Sequence, residues 1–383
     1  MFDSICTCCS VYNKMAAPVS EKTVKLGFLE EIDSQLLKSH FFPSKVGGRP
    51  AWLSLDQLPD PSSLQCSECN GVTRFLMQVY APLQSRDDTF HRTLFVFICP
   101  NPPCSSKSVT KSFKVIRSQL PLLNDFYSKE PPSEEIPEDF DSEQYPHAGK
   151  FHPLCKVCGV KGPKKCSQCK KASYCSKSHQ VIDWKTGHKK ECCKENKKKT
   201  GSGSQAYESE LFKEFELVTE DEVLPAESNN NNSKSEEECL REYERLMESQ
   251  KFQSSNEVYQ LEELEKTAKG ETEEDKAYLK FKERVRTEPS QVLRYCRTDE
   301  PLWVSLYQRP AAEDIPNCPL CGASRVFEFQ IMPQLLNHLD LDRLEASVDW
   351  GTLCVYTCAD SCSIGNTYRE EFIWKQDFYN PDE

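Results

Sequence analysis

The sequence predicts an α+β protein that is mainly β, in which one β-rich domain is duplicated along the chain. An ordered set of residues from the first part of the sequence recurs in the last part. Both copies contain short runs rich in β-branched and aromatic side chains, a composition typical of strands. A lysine- and cysteine-rich segment and strongly acidic stretches lie between the copies and are predicted to be insertions.

Composition limits the kind of protein. A length of 383 residues favours two or three domains. The net charge of −12 argues against a general nucleic-acid binder, and no apolar run approaches the roughly 20 residues of a membrane span. The chain has 21 cysteines but lacks the pattern of a secretory signal. We therefore expect metal binding in a reducing compartment, the cytoplasm or the nucleus, rather than disulfides.

The first copy, residues 23–129, contains three predicted strands and four cysteines. The strands are residues 75–80, 93–98 and 113–117. A Cys-x2-Cys pair precedes the first strand and two cysteines follow the second, which is the arrangement of a zinc ribbon, where four thiolates surround one ion. The candidate zinc ligands are Cys66, Cys69, Cys99 and Cys104.

The second copy, residues 274–383, repeats this order. Trp52 recurs as Trp303 and Gln78 as Gln330, and the equivalent candidate ligands appear at the same places in the pattern. We expect the copies to pair through a shared apolar surface, with the two tryptophans as equivalent core anchors. The candidate zinc ligands of this copy are Cys318, Cys321, Cys358 and Cys362.

Two finer equivalences complete the repeat. Cys354 corresponds to Phe95 and is therefore interpreted as a core residue rather than a ligand. Residues 113–116 match residues 372–374 loosely, which places the last strand of the second copy.

Eight potential metal ligands lie close together between the two copies. Two Cys-x2-Cys pairs are followed by two pairs spaced i,i+4, a spacing that places both ligands on one face of a helix. Zinc takes four nitrogen or sulfur ligands in structural sites, so eight ligands indicate two ions. The apolar residues between them are too few for an independent core, so metal must supply the folding energy. The ligands are Cys155, Cys158, Cys166, Cys169, Cys175, His179, His188 and Cys192.

This segment resembles a MYND-type zinc finger. The matching features are the two leading Cys-x2-Cys pairs, a Tyr-Cys, a Gln-x3-Trp and a His-x3-Cys. Spacing alone leaves the pairing of the ligands open, and Cys193 is a rival of Cys192 as the last ligand. The cross-braced pairing of such fingers implies a first zinc site of Cys155, Cys158, Cys175 and His179. It implies a second zinc site of Cys166, Cys169, His188 and Cys192.

Charge divides the rest of the chain. Residues 130–143 have seven acids and no base. Residues 150–200 have a net charge of +12, and residues 205–288 have a net charge of −12. Helices are predicted over residues 236–250 and, with an interruption near Pro289, over residues 274–295. The predicted domains are a disordered extension (1–22), the first copy (23–129), an acidic linker (130–149), the MYND finger (150–195), an acidic, partly disordered and helical linker (196–273), and the second copy (274–383).

Over roughly residues 23–383 the chain resembles the programmed cell death protein 2 family. The resemblance implies a chaperone without catalysis that captures a newly made small-subunit ribosomal protein, universal small-subunit protein five, and supports 40S assembly. It also implies an older association with cell death and transcriptional corepressors. The motifs that carry it are the finger and residues 47–53, 78–83, 92–97, 113–119 and 281–295.

Other functions find less support in the residues. The alternative is a nuclear adaptor whose finger docks proline-rich corepressor peptides. Direct DNA binding is disfavoured because residues 150–200 contain no arginine, the side chain best suited to reading bases. We do not expect an enzyme, since the chain has no Gly-rich phosphate loop and Asn337-His338 is not followed by the cysteine of a methyltransferase signature. The acidic segments could mask a basic client, and the finger is predicted to be an accessory insertion.

Overall fold

The computed structural model describes residues 23–83, 86–133, 144–192, 207, 210–223, 273–339 and 348–378. The expectations for the extension 1–22, for Cys193, for the helix over 236–250 and for most of the acidic linkers lie outside this part of the chain. In the described part no helix is long and apolar enough to cross a membrane.

The protein is mainly β, as predicted, and is organised around one antiparallel sheet of eleven strands. The strands of this sheet are β1 (Lys25–Glu30), β2 (Lys45–Val46), β3 (Arg74–Tyr80), β4 (His91–Ile98), β5 (Phe113–Leu120), β8 (Phe215–Asp221), β9 (Leu293–Tyr295), β10 (Arg325–Ile331), β11 (Thr352–Cys358), β12 (Tyr368–Glu370) and β13 (Phe372–Gln376). Their order across the sheet is β12-β5-β4-β3-β2-β8-β1-β9-β10-β11-β13.

The remaining elements are short. The finger contains a two-stranded sheet of β6 (Lys164–Lys165) and β7 (Ser173–Tyr174). The helices are α1 (Pro102–Lys107), α2 (Lys177–Asp183), α3 (Lys189–Glu191), α4 (Glu273–Arg286) and α5 (Leu335–His338), with a π-helical turn at Trp184–His188 between α2 and α3.

The two copies have the same hydrogen-bonding plan. In the first, Gln78 Oε1 accepts the N–H of Ala51 at 2.9 Å and its Nε2 donates to the Ala51 carbonyl at 3.3 Å. In the second, Gln330 makes the same pair of bonds to Leu302, at 2.6 and 3.0 Å. The registers of β3 and β10 also shift at equivalent places, which indicates the same β-bulge in each copy. These details support the internal duplication at the level of single atoms.

Neither copy completes its part of the sheet alone. β1 belongs to the first copy in sequence but pairs with β9 of the second, while β8 pairs with β2 of the first. β1 and β8 then pair with each other across the middle of the sheet, for example Phe28 opposite Val218. β1 therefore completes the sheet of the second copy, and β8, from the segment between the finger and the second copy, completes the sheet of the first.

Ion pairs hold both ends of β8. Glu214, just before the strand, forms a salt bridge with the buried Lys45 of β2. Glu222, just after it, lies 2.8 Å from the guanidinium of Arg294 in β9. The register places these two cations at equivalent positions, since Lys45 lies opposite Gln78 and Arg294 lies opposite Gln330. The acids flanking one strand thus satisfy one buried cation in each copy.

The last strands draw the two edges of the sheet together. β12 pairs with β5 of the first copy, and β13, one residue further along, pairs with β11 of the second. Between them the backbone N–H of Glu371 donates to the carbonyl of Val115 at 2.8 Å. Two consecutive strands of one segment therefore pair with the two edges of the sheet, and the sheet is nearly closed.

The copies share one apolar core, and the two tryptophans lie outside it. The largest buried cluster joins residues such as Val79 and Val96 of the first copy to Phe329 and Val355 of the second. Trp52 and Trp303 lie in two other apolar clusters, on the opposite side of the sheet. Trp52 also reaches the second copy, since its ring packs edge-on against Tyr368 with centroids 5.2 Å apart.

Three local predictions also need correction. Strand β8 lies within the predicted linker, where acidic residues alternate with the buried Phe215 and Leu217. The helix predicted over 274–295 ends at Arg286, and β9 follows because sheet pairing overrides helix propensity. The loose match of the last strands is off by one residue, since Ile116 lies opposite Phe95 and Trp374 lies opposite Cys354.

Buried ion pairs cross between the copies. Arg92 of β4 forms a bidentate pair with Glu328 of β10, and both side chains are fully buried. Burial would raise the pKa of Glu328, but the charge of Arg92 outweighs it and brings the pKa to about 2. Thr357 and Tyr295 donate further hydrogen bonds to the same carboxylate. Since sequence patterns assign buried positions to apolar residues, this pair was not predicted.

Removing one partner of the Arg92–Glu328 pair should destabilise the protein far more than replacing both partners together. We expect Glu328→Gln to lower the free energy of unfolding by about 3–5 kcal/mol, because Arg92 stays buried with its charge uncompensated. The double variant Arg92→Met/Glu328→Leu should lose much less, and the exposed Glu313→Gln should stay within about 0.5 kcal/mol of the native chain. Chemical denaturation of zinc-loaded protein measures all three. Equal losses in Glu328→Gln and Glu313→Gln would contradict a buried pair.

His91 should make stability fall on mild acidification. Its ring is fully buried against Phe42, and burial lowers its pKa to about 4. The unfolded chain takes up this proton near pH 6.5, so stability conferred by the neutral ring is full above that pH and declines towards pH 4. The loss should approach about 1.4 kcal/mol per pH unit. His91→Gln should show a shallower decline between pH 7 and pH 5, and an unchanged slope would count against this assignment.

Candidate metal centres

All four Cys-x2-Cys segments close the same turn. The residue after the second cysteine has a positive φ and donates its N–H to the carbonyl of the first cysteine. In the finger these residues are Gly159 (φ 74°) and Lys170 (φ 55°), and in the two copies they are Asn70 (φ 55°) and Gly322 (φ 77°). Lysine is strained in this left-handed region, so the turn at Lys170 needs compensation from the ligands that it positions.

The first site in the finger joins a turn, a strand end and a helix. Cys155 and Cys158 come from the turn, Cys175 follows β7, and His179 lies in the first turn of α2. Ser176 accepts the N–H of His179 at 3.1 Å and so caps this helix. Cys175 therefore precedes the helix that was predicted to hold both ligands. His179 Nδ1 lies 3.5 Å from Cys155 Sγ and 3.1 Å from Cys175 Sγ.

The second site uses the other half of the finger. Cys166 and Cys169 come from the turn after β6, His188 ends the π-helical turn, and Cys192 is the C-cap of α3. The sulfurs of Cys166 and Cys192 are 3.9 Å apart, and Cys169 Sγ is 3.5 Å from His188 Nε2. The structure thus brings together the same two sets of four that the cross-braced pairing implies.

The duplicated copies each gather four cysteines as well. Cys69 and Cys99 approach to 3.7 Å between sulfurs, and Cys104 reaches the same set from α1. In the second copy the Cys318–Cys362 and Cys321–Cys358 sulfur distances are 3.7 and 3.5 Å. In each set the four ligand atoms lie within 4.8 Å of one another. Among the described residues, these two sets and the two of the finger are the groups that could hold a metal ion.

The spacing fits tetrahedral zinc and excludes disulfides. Zn–S bonds of about 2.3 Å place two sulfurs of a tetrahedron about 3.8 Å apart, and a sulfur and a nitrogen about 3.6 Å apart. The sulfur–sulfur distances of 3.5–3.9 Å agree with this value, whereas a disulfide needs about 2.05 Å. Each set supplies four protein ligands and so leaves no open position for a substrate, as in structural rather than catalytic zinc sites.

Backbone N–H groups favour thiolates at two of the turns. Burial raises the pKa of Cys169, but the N–H groups of Ala172 and Lys171 outweigh it and bring the pKa to about 6. For Cys318, the N–H groups of Cys321 and Leu320 likewise outweigh burial and bring the pKa to about 7. By contrast, burial raises the pKa of Cys354, which lies in a core cluster beside Phe327 and Tyr356, as predicted for a residue outside the sets. Thiolates are the form that binds zinc.

The finger packs directly against the first copy. Trp52 Nε1 donates to the carbonyl of Gly159 at 2.9 Å, and Arg49 donates to the carbonyls of Val157 and Lys156. A Cβ on Gly159 would lie 2.9 Å from Arg49 Cβ, so close contact and positive φ both require glycine there. The buried cluster of this copy contains ligand residues of the finger. The finger, predicted to be an accessory insertion, is therefore also part of the packing of the first copy.

A buried aspartate, which sequence reasoning missed, holds the finger and the following segment together. Asp183 at the end of α2 is only 1% exposed. It accepts hydrogen bonds from Tyr174 at 2.6 Å and from Tyr207 at 2.5 Å, and lies 3.2 Å from Lys156 Nζ. Both tyrosines have raised pKa values because of burial and this neighbouring carboxylate. The one sequence signal was an acid within a segment otherwise dominated by lysine.

Family comparisons cover the three regions separately. The model for "Programmed cell death protein 2, N-terminal domain" matches residues 23–134, and that for its "C-terminal putative domain" matches residues 275–377. The model for "MYND finger" matches residues 155–192. No solved structure matches the chain.

Named relatives extend over nearly the whole chain. "Programmed cell death protein 2" of Bos taurus is 48% identical over 94% of this chain and 98% of its own length. The protein of the same name from Mus musculus is 47% identical over 92% of this chain and 96% of its length. "Probable 20S rRNA accumulation protein 4" of Schizosaccharomyces pombe is 25% identical over 88% of this chain and 92% of its length.

Metal content tests the four sets. Purified chain should contain about four zinc ions if every set is occupied, and about two if only the finger binds metal. The double variants Cys66→Ser/Cys69→Ser and Cys318→Ser/Cys321→Ser should each lower the content by about one ion. Cys354→Ala, which removes a buried cysteine outside the sets, serves as the control. Elemental analysis measures the ratio, and full zinc content in either double variant would disprove that ribbon.

Proposed function

The chain belongs to the programmed cell death protein 2 family, and we propose that it is a non-enzymatic, zinc-binding chaperone of ribosome assembly. It captures a newly made small-subunit ribosomal protein, universal small-subunit protein five, and supports assembly of the 40S subunit. Zinc occupies the four sets of ligands, with two ions in the finger and one in each copy of the duplicated domain. The protein works in the cytoplasm and the nucleus.

The observation that carries this proposal is the closed geometry of every candidate metal set. Each set offers four protein ligands within 4.8 Å, so the ions would hold the fold together rather than activate water or substrate. The duplicated body then presents surfaces, not a reaction centre. A relative named for the accumulation of 20S rRNA supports a role in ribosome biogenesis.

Charge supports a basic client. Ribosomal proteins carry basic segments that bind rRNA, and an acidic partner speeds the encounter and masks them. The net charge of −12 has the required sign. The acidic residues 130–143 and 205–288 lie mostly outside the described part of the chain, so their contribution rests on the sequence alone.

The second candidate is a nuclear adaptor that binds proline-rich corepressor peptides through the finger. One observation favours it: Val181 on α2 remains 41% exposed although the finger is docked on the first copy. An exposed apolar side chain on a helix could pack against proline rings. This function would use the finger alone and would not require the duplicated body.

Capture of the client during translation separates the two candidates. We expect a pulldown of tagged chain from translating cells to enrich ribosomes that carry nascent universal small-subunit protein five. The matched control is an equally basic large-subunit ribosomal protein, which should not be enriched if binding is specific. Enrichment of corepressors, without nascent ribosomal protein, would instead establish the adaptor. Loss of the corepressor signal in Val181→Asp would place that binding on the finger.

A further inference from the structure

The duplication allows the face of the sheet opposite the shared core to be compared between the two copies. In the first copy five side chains on this face belong to the cluster shared with the finger, namely Trp52, Phe75, Phe95, Phe97 and Ile116. The repeat and the strand registers give each one an equivalent in the second copy. These equivalents also form a single cluster, which we call the open face: Trp303, Phe327, Cys354, Tyr356 and Trp374.

The two faces differ in what covers them. On the first copy the finger lies over the face, and Trp52 is only 1% exposed. The cluster of the open face contains residues of the second copy only, and Trp303 and Trp374 are half-buried. Leu55 is fully buried, whereas its equivalent Leu306 is 44% exposed. Phe327, Cys354 and Tyr356 are buried within the open face, whereas Trp303, Trp374 and Leu306 keep exposed surface. The repeat has therefore built the same apolar platform twice, and the described residues leave the second platform partly exposed.

The indole groups show the same difference. Trp52 Nε1 donates to a carbonyl of the finger, while no described residue accepts a hydrogen bond from Trp303 Nε1. Tyr307, beside Leu306, is 53% exposed. The open face thus offers an unused donor and apolar side chains at the place where the first copy binds a protein module.

The rim of the open face is acidic. Residues 299–316 contain four acids and one base, Arg309, which lies 5.8 Å above the ring of Trp303. Glu274 accepts the N–H of Leu306 at 2.8 Å, and Glu300 lies near enough to Arg309 to favour its charged form. The module that covers the other face has the opposite charge, with eleven lysines and two acids over residues 150–192. Charge complementarity therefore selects a basic occupant for the open face.

We propose that the open face is the docking site for a lysine- or arginine-rich segment of the client, anchored by an apolar side chain. The identity of the client rests on the proposed function, whereas the site rests on the partly exposed platform. Aromatic rings receive both apolar side chains and guanidinium groups, and the acidic rim attracts the flanking cations. The finger is then the internal occupant of one platform, and the client is the external occupant of its equivalent.

Exposed positions allow a test that leaves the core intact. Leu306→Ser/Tyr307→Ser removes apolar surface from the open face, and Glu300→Lys/Glu313→Lys reverses its rim. The control Leu123→Ser changes a leucine that is 75% exposed in the first copy. Binding of zinc-loaded full chain to purified universal small-subunit protein five should weaken more than tenfold in both face variants and less than twofold in the control. Thermal unfolding of each variant verifies its fold.

A second charge control and a second probe separate the possible failures. Glu30→Lys/Asp125→Lys reverses two exposed acids of the first copy that lie outside the acidic segments and the rim, and should leave binding within twofold. If the native chain and the face variants bind the client equally, the docking site is wrong and the proposed function stands. If the native chain does not bind the client, the proposed function fails, and a synthetic peptide of lysines and leucines then tests the face by itself. Equal peptide binding by native and face variants would also overturn the site.

The alternative occupant of the open face is a second copy of the chain. Analytical ultracentrifugation of the native protein should show a monomer whose mass does not change in Leu306→Ser/Tyr307→Ser. A native dimer that this variant dissociates would assign the open face to self-association and overturn the proposal.

Discussion

The crossed pairing of β1 and β8 with the two copies governs the rest of the fold. β1 of the first copy completes the sheet of the second, and β8 does the reverse, so neither copy can bury its apolar surface alone. Lys45 and Arg294 pair with the carboxylates that flank β8, and so find them only when this strand is in place. Because β8 follows the finger in sequence, the sheet cannot close until the finger and the chain beyond it have been made. Such long-range pairing is slow to form and strongly cooperative once formed.

Metal and apolar packing act on different parts of the fold. The four candidate zinc sets fix turns and strand ends, where few apolar residues are available, and the shared core joins the copies along the strands. The finger combines both, since Gly159 follows a ligand pair and also accepts a hydrogen bond from Trp52. Metal in the finger therefore stabilises the cover of one aromatic platform, and removing it would affect the first copy as well.

Much of the site was predictable because ligand chemistry is encoded locally. A Cys-x2-Cys pair is recognised from four consecutive residues, and the repeat then assigned partners such as Cys99 and Cys358 without any knowledge of contacts. Strands β3, β4 and β5 followed from runs of β-branched and aromatic residues. Asp183 and the Arg92–Glu328 pair were missed, because a buried charge is satisfied by partners distant in sequence and leaves no local pattern.

Residue type and spacing along the chain were enough to establish the duplication, the candidate ligand residues and the mainly β class. Which strand completes which copy emerged only in the folded chain, because β1 and β8 have no periodic signal that names a partner. The fold also leaves Trp52 fully buried and Trp303 half-buried, although both stand in the same motif. Similar local patterns acquired different surroundings because the finger is inserted after only one of the two copies.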